Sequence, residues 1–248
     1  MTARRTGRRR GALLIVALGA LAFTACEPQP PPLPTYTVTP LTADGADRYE
    51  VATEGQTIRG RAPATNTGTN LRVAGLDPNV GTGTDQEACI TWTEVKASMI
   101  QPGVALRVKP SSTKTRAIIV TNNIMWGARW FFNVHLVTSN LNPAVTLVGS
   151  LEVTWSTDAL PWRICGRAVG NQVTVKAWPV STHPAEPAWD DPAYAKTLTV
   201  PDAWVYSGRP GFYMGHLAPG EQMAYTDPRL VVLAPPRTLV ANEAAVSR

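Results

Sequence analysis

Short runs of β-branched and aromatic residues recur from about Asp47 to Leu233, separated by Gly, Pro, Asn and Asp. No window carries apolar residues at helical spacing for three turns, so the pattern predicts strands and turns. The clearest predicted strands are Thr57–Arg61, Asn70–Ala74, Ala88–Val95, Val104–Val108, Ala117–Thr121, Trp130–Thr138 and Val145–Gly149. They continue with Leu151–Trp155, Trp162–Val169, Gln172–Trp178, Lys196–Val200, Gly211–Leu217, Gln222–Tyr225 and Leu230–Leu233. Gly170-Asn171 predicts a two-residue hairpin turn, because both residues tolerate positive φ. So many short strands with tight turns predict one large all-β domain, a two-sheet sandwich or a barrel.

Two segments of different chemistry precede the strands. Residues 1–10 hold five arginines (Arg4, Arg5, Arg8, Arg9, Arg10) and no acid, and an apolar and small run follows from Gly11 to Ala25. That run is too short to cross a bilayer with ordinary flanks, and with the basic start it describes a secretory signal. The residue after the expected cleavage point is Cys26, in Phe23-Thr24-Ala25-Cys26. The arrangement resembles the bacterial lipoprotein signal, in which the cysteine is lipidated and becomes the new N-terminus. That resemblance usually carries Leu where this chain has Phe23, and it implies a membrane-anchored protein on the extracytoplasmic face. Arg8-Arg9-Arg10 satisfies both a general secretory and a twin-arginine pattern. From Glu27 to Pro40, prolines 28, 30, 31, 32, 34 and 40 predict an extended polyproline spacer, about 3 Å per residue. The expected organisation is signal peptide over 1–25, lipidated Cys26 and Pro-rich linker over 26–46, sandwich over 47–233 and tail over 234–248.

Charge changes its meaning once the leader is set aside. The whole chain has 23 Lys+Arg against 18 Asp+Glu, net +5. Without the five leader arginines it is 18 against 18, so the basic balance gives no ground for nucleic-acid binding.

A second resemblance lies in the strand punctuation. Leu160-Pro161-Trp162-Arg163-Ile164-Cys165-Gly166-Arg167-Ala168-Val169-Gly170-Asn171 followed by Gln172-Val173-Thr174-Val175-Lys176-Ala177-Trp178 resembles the late hairpin of concanavalin-like, laminin-G-like jelly rolls. Gly208 to Leu217 and Asp227 to Val232 are similar to that fold's Gly-rich penultimate strand and its closing strand. The resemblance covers roughly Cys89 to Leu233. It implies a two-sheet antiparallel jelly-roll sandwich and, by itself, no activity.

Catalytic signatures are absent. Laminarinase-type sandwiches carry alternating acids on one strand, which sets two carboxylates about 5 Å apart, and no such triplet occurs here. Nucleophile elbow, zincin, P-loop and dinucleotide motifs are also missing. Three histidines, His135, His183 and His216, offer little for a metal cluster, and no motif supports a structural calcium ion. A hydrolase would have to draw its carboxylates from loops, among Asp85, Glu87, Glu186 and Asp190. With Cys26 lipidated, Cys89 and Cys165 remain, and outside the cytoplasm two thiols in adjacent predicted strands are expected to form a disulfide.

Strand alternation supplies the expected ligand site. Phe132, Val134 and Leu136 share one face of their strand, and Asn133 and His135 the other. Trp162, Ile164 and Ala168 oppose Arg163, Cys165 and Arg167, while Val173, Val175 and Ala177 oppose Thr174, Lys176 and Trp178. If the sheets curve as in concanavalin-like folds, Asn133, His135, Arg163, Arg167 and Trp178 are expected on one concave face. Trp189 stands above it on the proline-rich loop Pro179–Ala195. Guanidinium forks beside an aromatic plane suit a glycan or cell-wall polysaccharide with acidic groups. Trp92, Trp155 and Trp162 are expected in the core, and Trp126, Trp189 and Trp204 at strand ends or in loops. The alternative is a structural or adhesive surface protein, with these residues coating a solvent-facing sheet.

Overall fold

The computed structural model describes residues 31–42, 49–67, 71–96, 100–111, 114–126, 129–139, 145–154 and 159–234. The expected signal peptide, Cys26, Trp155 and all of the expected tail except Ala234 lie outside the described residues.

Fourteen strands form two seven-stranded antiparallel sheets packed as a jelly-roll sandwich. The first sheet runs, in spatial order, β1 (Thr37–Pro40), β4 (Arg72–Leu76), β13 (Arg209–Gly215), β6 (Gln101–Lys109), β7 (Arg116–Trp126), β8 (Arg129–Thr138) and β9 (Val145–Thr154). The second runs β12 (Ala195–Thr199), β11 (Gln172–Pro179), β10 (Trp162–Val169), β5 (Gln86–Lys96), β14 (Gln222–Val232), β3 (Thr57–Arg61) and β2 (Glu50–Glu54). A single 3-10 turn, Asp202–Trp204, lies between β12 and β13.

Alternation sends one side of each strand into the space between the sheets. Phe132, Val134, Trp162, Ile164, Val173, Val175 and Ala177 all join this core. Its densest part is aromatic. Trp130 lies 4.9 Å from Trp162 and 5.7 Å from Trp92 between ring centroids, and Phe132 lies 5.8 Å from Trp162. These contacts suit the offset and tilted geometries that ring quadrupoles prefer.

The hairpin at Gly170-Asn171 joins β10 to β11, and only Gly170 takes positive φ, 54°. Two pairs of predicted strands are each one continuous element. Val145–Gly149 and the described part of the second run, Leu151–Thr154, fall in β9, which bulges where Val134 and His135 pair with Gly149 and Leu147. Gln222–Tyr225 and Leu230–Leu233 fall largely in β14, interrupted by an irregularity that holds Asp227 at φ 50° beside Pro228. Proline is tolerated there because a bulge needs no ladder donor.

The larger correction concerns the spacer. Thr37–Pro40, expected as polyproline linker, is edge strand β1 on β4. Tyr36 packs edge-on against Phe212 at 5.0 Å, and Leu41 is fully buried. Burial of Tyr36 and Leu41 outweighs the local polyproline preference, and Pro40 is acceptable because its strand is an edge. The sandwich therefore begins before residue 47.

Candidate ligand-binding faces

The outer face of the second sheet carries the disulfide. Cys89 on β5 stands directly opposite Cys165 on β10, and the two are bonded. Their neighbours are Trp178, Trp189 and Tyr194, the last two from the proline-rich loop. That loop is a flap held down by charge. The Lys176 ammonium is 1% exposed, sits 4.2 Å from the Trp189 ring centroid, and donates to Glu186 Oε1 and the Pro187 carbonyl at 2.7 Å each. Arg167 stacks on the same indole at 4.0 Å and donates to Glu87 Oε2 at 2.6 and 2.9 Å. Arg229 bridges Glu87 and Glu186, at 2.8 Å to each. The hydrogen bond from Arg229, with Lys176 behind it, holds the Glu186 carboxyl down at about 2 despite partial burial.

Arg163 is 6% exposed, so it is not the solvent-facing side chain expected. It donates to Thr91 Oγ1 at 2.9 Å and to Asp227 Oδ2 at 2.6 Å, and burial lowers its affinity for its proton. Arg163, Arg167, Trp178 and Trp189 thus do come together, but in a cluster whose cations are each paired with an acid, with Trp178 Nε1 and Arg229 Nε left without a hydrogen-bond partner. The carboxylates expected on loops are engaged as well, and Glu87 stands on strand β5 opposite Arg167, not on a loop. Glu87 and Glu186 share Arg229, and Asp85 Oδ1 accepts the Gly170 amide at 2.9 Å. Asp190 is exposed on the flap.

Asn133 and His135 lie on β8, in the other sheet. The expected single face of Asn133, His135, Arg163, Arg167 and Trp178 is therefore split between opposite outer surfaces. Alternation within a strand was read correctly, but it carries no information about which sheet a strand joins.

On the first sheet, His135 belongs to a largely buried polar cluster assembled by four strands and the residue after β13, beside a second apolar cluster that holds Ala74, Ala105, Ile119 and Val137 on the same face. Arg72 of β4 pairs in register with Gly215 of β13, which pairs with Gln101 of β6. The Arg72 Nη2 lies 2.7 Å from His216 Nε2. A guanidinium can only donate, so that nitrogen accepts and His216 is neutral. Burial, then the Arg72 charge, lowers both His135 and His216 to about 4. Tyr213 is fully buried, which pushes its phenol pKa up, and its hydroxyl donates to Gln101 Oε1 at 3.3 Å. Gly215 makes this possible, since a Cβ there would meet the Tyr213 hydroxyl at 2.2 Å. Gln101 in turn donates to Asn123 Oδ1 at 2.9 Å, and Ser150 donates to Asn133 Oδ1 at 2.6 Å. His135 Nδ1 is buried without any hydrogen-bond partner. Unpaired polar atoms in a buried position are costly and uncommon, so each calls for a reason. Sequence reading missed Arg72, Gln101, Tyr213 and His216 because they are far apart in the chain.

Among the described residues, no group of three or more His, Cys, Asp or Glu side chains is arranged to hold a metal ion.

No family model matches the chain, and no curated protein matches it in sequence. Among solved structures, the chain is similar to the carbohydrate-binding module CBM66 from Bacillus subtilis, at 11% identity and TM-score 0.48 over 82% of this chain and 100% of that one. It is similar to a functionally unknown protein from Saccharomyces cerevisiae at 9% identity and TM-score 0.49, covering 81% and 98%. A third likeness is the exoplasmic/lumenal domain of VIP36 in a Ca2+/mannose-bound form, at 10% identity and TM-score 0.42, covering 84% and 86%.

Proposed function

We propose that this is a glycan-binding β-sandwich of the bacterial cell envelope, held to the extracytoplasmic face of the membrane by a lipid on Cys26. The observation that carries the binding role is the polar cluster on the outer side of the first sheet. There Arg72, Gln101, His135, Tyr213 and His216 converge, and a buried His135 nitrogen lacks a partner. Neutral imidazoles, amides and a phenol beside a guanidinium match the hydroxyl-rich, multiply hydrogen-bonding surface of a sugar. The charge-paired cluster on the second sheet supports the fold and braces the disulfide. The anchor rests on the arginine-rich start, the apolar run and Ala25-Cys26.

Titration of the full chain against an oligosaccharide panel tests the binding role. Saturable binding that weakens about tenfold in His135→Ala, equivalent to about 1.4 kcal/mol, with unfolding unchanged, is the expected result. Absence of binding across neutral and acidic glycans would overturn it. For the anchor, Cys26→Ser is expected to abolish partitioning into the detergent phase, and unchanged partitioning would overturn that part.

A further inference from the structure

The same side of the first sheet carries a depression that the polar cluster does not use. A cleft of about 520 Å³ lies where β1, β4, β6 and β13 meet, lined by Thr37, Thr39, Thr82 and Ser207 hydroxyls and by Lys109 and Arg209. Its volume falls in the range typical of small-molecule sites. The remaining lining comes from Leu76, Val108, Pro110 and Gly208, so no carboxylate is among its walls. Lys109 and Arg209 make no ion pair among the described residues.

The backbone of a further arginine, Arg107, lies against the cleft wall at Gly208. Arg107 is fully buried, and its guanidinium donates to the carbonyls of Thr84, Trp204 and Gly170. Carbonyl dipoles solvate the cation without cancelling its charge, and Asp85 is the acid whose field acts on it most. Arginine keeps its proton even when burial lowers its affinity for it. The backbone is shaped around this residue. Arg107 takes positive φ, 51°, at an irregularity in the pairing of β6, and its amide donates to Gln86 Oε1 at 2.7 Å. Gly208 on the cleft wall lies so close that a Cβ there would meet the Arg107 backbone at 2.4 Å. The cleft is thus a concavity whose lining residues include two cations and no acid, an arrangement that favours an anion.

We infer that this cleft is an anion-selecting subsite that takes a sugar residue bearing a carboxylate or a sulfate ester. The inference rests on the glycan-binding reading of this face and narrows it to acidic polymers. Arg72 in the polar cluster and Leu76 at the cleft are four residues apart on β4, about 13 Å at the rise of an extended strand.

The test is calorimetric titration of the full chain with four probes. They are an oligogalacturonate, a sulfated galactan oligosaccharide, a neutral cello-oligosaccharide and inorganic sulfate. The expected result is that at least one acidic oligosaccharide binds more than tenfold tighter than the neutral one, with affinity falling as salt rises. Which acidic probe binds tells carboxylate from sulfate. Lys109→Ala and Arg209→Ala should each weaken that probe by about tenfold, with the neutral probe and the unfolding midpoint unchanged. Lys109 is exposed, so its variant tests the cleft even if Arg209→Ala fails to fold. Equal affinity for neutral and acidic probes, or acidic binding unaffected by Lys109→Ala, overturns the inference and leaves the glycan-binding reading standing. Binding of inorganic sulfate with no oligosaccharide binding overturns both.

Discussion

The two outer faces of this sandwich start from the same alternation of apolar and polar positions and end in opposite states. On the second sheet, four cations (Arg163, Arg167, Lys176, Arg229) meet three acids (Glu87, Glu186, Asp227), and two indoles lie between them. Opposite charges on neighbouring strands find each other, and the flap closes over them. The polar-cluster and cleft residues of the first sheet include cations, neutral imidazoles, amides and hydroxyls, but no acid. A face rich in Arg and Trp is thus not by itself a binding face. What matters is whether the charges already have counterparts within reach.

Removing the disulfide should have the largest effect. Cys89 and Cys165 are 76 residues apart in sequence, and closing a loop of that length is worth about 4 kcal/mol in the chain-entropy model. The double variant Cys89→Ser/Cys165→Ser should lower the denaturant midpoint accordingly while leaving glycan affinity little changed. Equal loss of binding would show that the two faces are coupled.

Glu87→Ala comes next. It strips a buried carboxylate from Arg167 and Arg229 and should cost about 2 kcal/mol, less than for a fully buried pair because both arginines are about a third exposed. An unchanged unfolding free energy would mean that the flap cluster contributes nothing to stability.

Acid separates the faces by window. His135 and His216 titrate near 4 in the fold against an ordinary 6.5, so below about pH 6.5 the unfolded chain takes up protons that the native one refuses. Stability contributed by keeping them neutral is present above that value and is lost as pH falls toward 4. Glu186 has the opposite character, a carboxylate lowered from 4.5 to about 2. Its contribution is present above about pH 4.5 and is lost as pH falls toward 2. Urea unfolding across pH should show the upper window vanish in His135→Gln/His216→Gln and the lower one shrink in Glu186→Gln. An unaltered profile in either variant would remove that assignment.

The smallest effect belongs to Ser150→Ala, which deletes one partly buried hydrogen bond to Asn133 and should cost about 1 kcal/mol or less. With His135→Ala weakening glycan binding about tenfold, Ser150→Ala should weaken it only severalfold, as read by the same titration.

Strand positions and the hairpin at Gly170-Asn171 were legible in the chain, because alternation and turn chemistry act between neighbours in sequence, whereas the pairing of Cys89 with Cys165, 76 residues apart, was legible only from the cysteine count. The face assignments within β8, β10 and β11 were legible from alternation, as were Trp92 and Trp162 in the core. β1 was hidden, since local proline content argues for a spacer while the gain comes from remote contacts such as Tyr36 on Phe212.

The tertiary structure alone decided which strands share a sheet, and so which polar side chains are neighbours. It placed His135 beside Arg72 and His216, from segments about 60 to 80 residues away, and set Arg163 and Arg167 on the opposite side of the core. It also decided that Arg163 and Lys176 are buried and paired, a state that charge and alternation in one strand cannot reveal. The physical reason is range. Pleat, turn and propensity are properties of adjacent residues, whereas sheet order and charge matching are settled between segments that meet only when the sandwich closes.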